Sequence, residues 1–63
     1  MAEPQRPRGI DFNAKERATE IALLKDLKDA KKFKDIYPLR LKEAEDNLAE
    51  LYRLVVARYR AGK

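Results

Sequence analysis

The chain has no cysteine, no histidine, no serine and no tryptophan. Without cysteine there is neither a disulfide to staple the fold nor a thiolate to bind a metal. Without histidine the commonest zinc ligand and the commonest general base are gone as well. With no serine, the one aliphatic hydroxyl is that of Thr19, and two glycines, Gly9 and Gly62, cannot build a phosphate-cradling loop. These absences argue against an enzyme, a cofactor site or a small-molecule substrate site. Long apolar runs are missing too: the longest are residues 21–24 and 54–57, far short of the ~18–20 residues a membrane span needs. Residues 1–20 contain no apolar h-region, so no secretory signal is expected, and the cytoplasm is the default location.

What the chain does have is charge and helix formers. Fifteen Lys and Arg against eleven Asp and Glu leave a net +4, a mild bias spread over mixed signs. Such mixing suits exposed helix faces laced with ion pairs. Sixty-three residues make one domain at most. A single core of this size rarely supplies more than ~3–5 kcal/mol, so association with itself or with something larger is expected.

Residues 1–12 hold Pro4, Pro7 and Gly9 beside Arg6 and Arg8. This spacing forbids a helix and predicts an extended arm ahead of a helical region over 13–63. Ile10 and Phe12 are its large apolar residues. They either pack on the first helix as a hydrophobic staple or serve as anchors for a partner. Asn13 followed by Glu16 has the spacing of a capping box and marks a helix start, with Asp11 as a competing cap. From Ala14 to about Asp35 no Pro or Gly interrupts the pattern. Pro38 then pushes Tyr37 out of the helical region and fits the first position of a new helix, which runs until Gly62. A link of about two residues, 36–37, suits antiparallel neighbours. The expected fold is therefore all-α: an antiparallel two-helix hairpin over 14–35 and 38–61. One long helix kinked at Pro38 is the rival, but a lone rod buries nothing.

In the second helix Leu41, Ala44, Leu48, Leu51 and Val55 follow a heptad alternation flanked by Tyr52 and Tyr59, all within an arc of roughly 100°. With Leu27, Ala30 and Phe33 of the first helix they make the expected core. Leu54 and Val56 widen that arc beyond what one neighbour covers. The first helix is less orderly. Ala14, Ala18, Ile21 and Ala22 define one apolar face, Leu23, Leu27, Ala30, Phe33 and Tyr37 another, and Leu24 belongs to neither. A face that shifts this far implies a second covering molecule, either a homodimer completing a four-helix bundle or a larger assembly onto which the hairpin docks. The expected partner-binding residues are Ile10, Phe12, Ile21, Leu24, Leu54 and Val56.

A second surface is basic. Arg17, Lys25, Lys28, Lys31 and Lys32 share one side of the first helix, with Lys34 nearby and Arg6 and Arg8 on the arm. Such a stripe can track the phosphates of RNA or DNA. Asp26, Asp29 and Asp35 interleave in the sequence, and no aromatic accompanies the stripe to stack a base. Glu43, Asp46 and Glu50 form an acidic ridge on the second helix, able to pair with lysines of the first helix or of a second copy. A metal reading fails for want of the Glu-x-x-His pairs that bundle sites use.

The stretch Glu50-Leu51-Tyr52-Arg53, followed by Ala57-Arg58-Tyr59, resembles the closing segment of the Rop family of plasmid RNA-binding hairpins over ten residues. The resemblance implies a bundle of two hairpins. The first helix does not reproduce the family's RNA-contacting pattern, so no binding residue is carried over.

Overall fold

The structure is a computed structural model in which residues 4–62 are described. Two helices and no strands occur among them: α1, Ala14–Lys32, and α2, Pro38–Ala61. They pack as an antiparallel hairpin in a body of 44 × 20 × 14 Å. The smallest dimension is about one helix diameter, so the helices form a single layer and each leaves much of its circumference uncovered. Neither helix is long and apolar enough to cross a membrane.

The start of α1 follows from its capping box. Asn13 Oδ1 accepts from the Glu16 amide at 2.8 Å, and Glu16 Oε1 accepts from the Asn13 amide at 2.9 Å. Two donors that a helix start leaves unsatisfied are thereby paired. The end of α1 departs from expectation. The helix stops at Lys32 rather than near Asp35, and Phe33 caps it at φ −115°, ψ 25°. The link is residues 33–37, where the amides of Ile36 and Tyr37 both donate to the Phe33 carbonyl, at 3.0 and 2.7 Å. Reversing the chain ahead of Pro38 takes a separate turn as well as the proline, and α1 gives up its last turn to supply it. Pro38 takes the first position of α2, as its missing amide favours. At the far end Gly62 is right-handed, φ −77°, so α2 is not stopped by a left-handed glycine.

The core is Phe12, Leu27, Ala30, Ala44, Leu48, Tyr52 and Val55, with Ile10, Leu23, Leu41 and Leu51 packed partly buried against it. Phe33, expected inside, is half exposed because it lies past the helix end, where the chain turns away. Phe12 takes a core place from the arm.

The core-facing line of α1 is Glu16, Glu20, Leu23, Leu27 and Ala30, a regular alternation of four and three residues. Two carboxylates fill its first two places, and Glu20 is buried. The apolar face therefore does not shift along the helix. It is one straight face whose first turns are polar, and the argument for a second molecule drawn from a shifting face loses its basis.

Candidate functional site

The ends of the hairpin differ in chemistry. At the open end the arm closes over the core. Phe12 meets Tyr52 edge-on, ring centroids 6.2 Å apart at 76°, so from the arm it reaches across to α2. The Arg6 guanidinium lies 4.1 Å from the centre of the Phe12 ring. Arg6 Nε donates to Glu20 Oε2 at 2.9 Å, and the Tyr52 hydroxyl donates to the same oxygen at 2.9 Å. A buried carboxylate needs such donors, since an unpaired one costs several kcal/mol. No buried side-chain nitrogen or oxygen among the described residues lacks a hydrogen bond. Gly9, at φ +74°, gives the arm a left-handed turn that other residues resist.

Beside this cluster Arg58 grips Glu16 with both faces of the fork, Nε to Oε2 at 2.6 Å and Nη2 to Oε1 at 2.8 Å, while Nη2 also donates to the Asp11 carbonyl at 2.9 Å. The Arg58 fork, reinforced by the Asn13 amide, holds the Glu16 carboxyl below its ordinary value of 4.5, and Glu16 in turn raises Arg58. One glutamate thus caps α1 and ties it to α2.

At the other end residues 31–40 are all exposed. Phe33, Ile36, Tyr37 and Leu39 present 46, 66, 56 and 74% of their surface to solvent. A groove of about 400 Å³ runs between Ile36, Tyr37, Pro38, Leu39, Arg40 and Glu43. Beside it Arg40 pairs with Asp26 at 3.5 Å, open to water. The sequence pattern places Phe33 and Tyr37 on an apolar face of the first helix and gives Ile36 and Leu39 no role, although four large apolar residues in seven beside a helix-stopping proline are the available signal.

The expected apolar docking residues do not form one surface. Phe12 is in the core and Ile10 is half-buried against it. Val56 is half-buried because the arm supplies its cover: Pro4, Gln5 and Pro7 line a groove of about 550 Å³ with Ala49, Tyr52, Val56 and Arg60. Ile21, Leu24 and Leu54 are exposed. At 100° per residue, Leu24 and Ile21 lie about 80° and 140° round α1 from its core line. Leu54 lies about 120° round α2, on the side of the hairpin where Asp26 meets Arg40. Ile21 and Leu24 are on the other side.

Of the basic residues, Arg6 is engaged by Glu20 and the Phe12 ring and does not extend the stripe. Arg8, Arg17, Lys25, Lys28, Lys31 and Lys32 are exposed. Arg17, Lys25, Lys28 and Lys32 fall within roughly 80° of one another on the outer edge of α1. Asp26 turns to the other side, while Asp29, four residues from Lys25 and three from Lys32, borders the lysine edge. No group of acidic side chains among the described residues is placed to hold a metal ion.

No family model, curated protein or solved structure matches the chain.

Proposed function

We propose that the chain is a cytoplasmic, non-enzymatic interaction module that binds itself or a larger protein through apolar side chains its own core leaves out. The observation that carries this reading is the tip, where Ile36, Tyr37 and Leu39 stand exposed around one groove and Phe33 is exposed at the end of α1. Large apolar side chains gathered this way on a small domain mark interaction sites more often than chance exposure. Ile21 with Leu24, and Leu54, are secondary contacts on opposite faces.

A photo-crosslinking residue in place of Leu39, used in the cells that make the protein, tests this reading. A discrete protein adduct is expected, absent when the crosslinker replaces exposed Asn47 and lost on adding Ile36→Ser. No adduct from Leu39, or the same pattern from both positions, overturns it.

The alternative is a nucleic-acid-binding hairpin that uses Arg8, Arg17, Lys25, Lys28, Lys31 and Lys32. The turn of Asp26 away from the lysine edge supports it, while Asp29 borders that edge and dilutes its charge. The engagement of Arg6 weakens it. A binder of duplex shows log K falling with log salt at a slope of about −3 to −5, reduced when Lys28, Lys31 and Lys32 become Gln. Affinity weaker than about 10⁻⁴ M at low salt removes this reading.

A further inference from the structure

The two long edges of the hairpin carry opposite charge in the same pattern. On the outer edge of α1, Lys25, Lys28 and Lys32 follow one another at three and four residues. On the outer edge of α2, Glu43, Asp46 and Glu50 do the same. All six side chains are exposed. The two sets lie roughly 120–180° away from the face each helix turns to the other, so they cannot meet within one hairpin. The ion pairs of Arg6 with Glu20, Arg40 with Asp26 and Arg58 with Glu16 use none of them.

Their heights agree as well. The bonds from Tyr52 to Glu20 and from Arg58 to Glu16 fix the antiparallel register. In that register Lys25, Lys28 and Lys32 stand at about the height of residues 41–48 of α2, given 1.5 Å of rise per residue. The acidic ridge spans nearly the same stretch, on the half of α2 nearer the tip and clear of the arm, which lies against Ala49, Arg53, Val56 and Arg60.

The geometry points to side-by-side association with a second copy of this chain, the lysine edge of one hairpin against the acidic edge of the next. Each edge of about 10 Å then meets its complement after a sideways shift of one helix spacing, roughly 8–10 Å, with the helices still antiparallel. The contact is head-to-tail, so copies add in an open row, or in a ring if the rotation between them closes. It uses surfaces different from the apolar tip, and the fate of the tip reading does not decide it. Being exposed and ionic, the contact is weak and strongly screened: three such pairs strengthen association by about tenfold.

Sedimentation velocity on the full chain tests this at about 0.01 M and about 1 M salt, where the screening lengths are about 30 and 3 Å. The sedimentation coefficient is expected to rise with concentration at low salt and to fall to that of a single chain at high salt. Lys25→Glu/Lys28→Glu/Lys32→Glu and Glu43→Lys/Asp46→Lys/Glu50→Lys should each abolish the rise, with helicity by circular dichroism unchanged. Combining all six exchanges keeps the net charge at +4 and should restore it. If a reversal lowers helicity, the corresponding Gln or Asn triple is used instead and should weaken association about tenfold. A single-chain species at every concentration in low salt overturns the proposal. So does a six-fold exchange that fails to restore association. Loss with the lysine triple alone also overturns it, since the lysines would then be meeting another anion, such as a phosphate backbone.

Discussion

The open end and the tip of this hairpin are built from similar residues and used in opposite ways. Each has aromatic and large aliphatic side chains beside arginine and carboxylate. At the open end Phe12, Tyr52, Arg6 and Glu20 close on one another, and Arg58 with Glu16 fastens the rim. At the tip Phe33, Ile36, Tyr37 and Leu39 face water, and α2 begins without a side-chain cap. The arm makes the difference. Only the open end has a third segment to cover the single layer of helices. Stability is therefore concentrated at the open end, and the tip is left facing water.

The largest effect should come from the middle, where both ends depend on the same packing. Leu48 is fully buried, and Leu48→Asp places an unpaired carboxylate there at a cost of several kcal/mol. Loss of the helical circular dichroism signal is expected. Retained helicity and an unchanged Tm would show that the heptad of α2 does not carry the core.

Next comes a direct contrast between the ends. Phe12→Ala should cost about 3 kcal/mol, the low end for a buried phenylalanine because the site lies at the protein margin. Phe33→Ala should cost under about 1 kcal/mol, since half of that ring is already in water. Urea titrations of the two variants measure both. Equal losses would mean that the tip is packed as firmly as the open end.

A smaller effect tests how the arm reaches its place. Gly9→Ala puts a side chain at a left-handed position with nothing nearby to clash, so only the backbone preference is lost, about 1 kcal/mol. Thermal melts should show the decrease in the full chain. The same substitution in a chain also carrying Phe12→Ala should cost less, because the arm is then already loosened.

The smallest effect is set by pH. Glu16 has a folded-state value below 4.5, so the unfolded chain binds its proton first as the solution is acidified. The stability it contributes is fully present above pH 4.5 and is lost as the pH falls through the lowered folded-state value. Arg58→Gln should flatten this part of the Tm-against-pH curve. An unchanged slope between pH 5 and 2 in that variant would remove the Arg58 fork as its cause.

Much of the hairpin was legible because local chemistry decided it. Asn13 with Glu16 is a cap by spacing alone, Pro38 excludes a continuous helix, and the α2 heptad is apolar along its length. Three features escaped, two because they depend on partners distant in sequence and one because it depends on the geometry of a turn. The polar start of the α1 core line hid its regularity, since Glu20 is tolerated inside only when Arg6 and Tyr52 reach it. The docking of the arm could not be read from a proline-rich composition that specifies extension and nothing about destination. The loss of the last turn of α1, and with it Phe33 from the core, reflects what the reversal at 33–37 requires of the backbone. Among the surfaces, the lysine edge was visible as a stripe. The tip was not, because α1 ends at Lys32, earlier than its helical pattern suggests, which turns Phe33 and Tyr37 out of the face that pattern assigns them and leaves Ile36 in a turn where no helical period applies.

The long reach of the Arg58 bond to the Asp11 carbonyl, 47 residues apart in sequence, has a consequence for the order of events during folding. The five-residue tip can close on the nanosecond scale, and the helices can zip from it toward the termini. The contacts of the arm span nearly the whole chain, so their loop-closure entropy is recovered only after the helices have met. The arm is then the last part to assemble and the first to open. Glu20 is exposed to water each time it does, which makes the burial of this carboxylate a marker of completed folding rather than a step toward it.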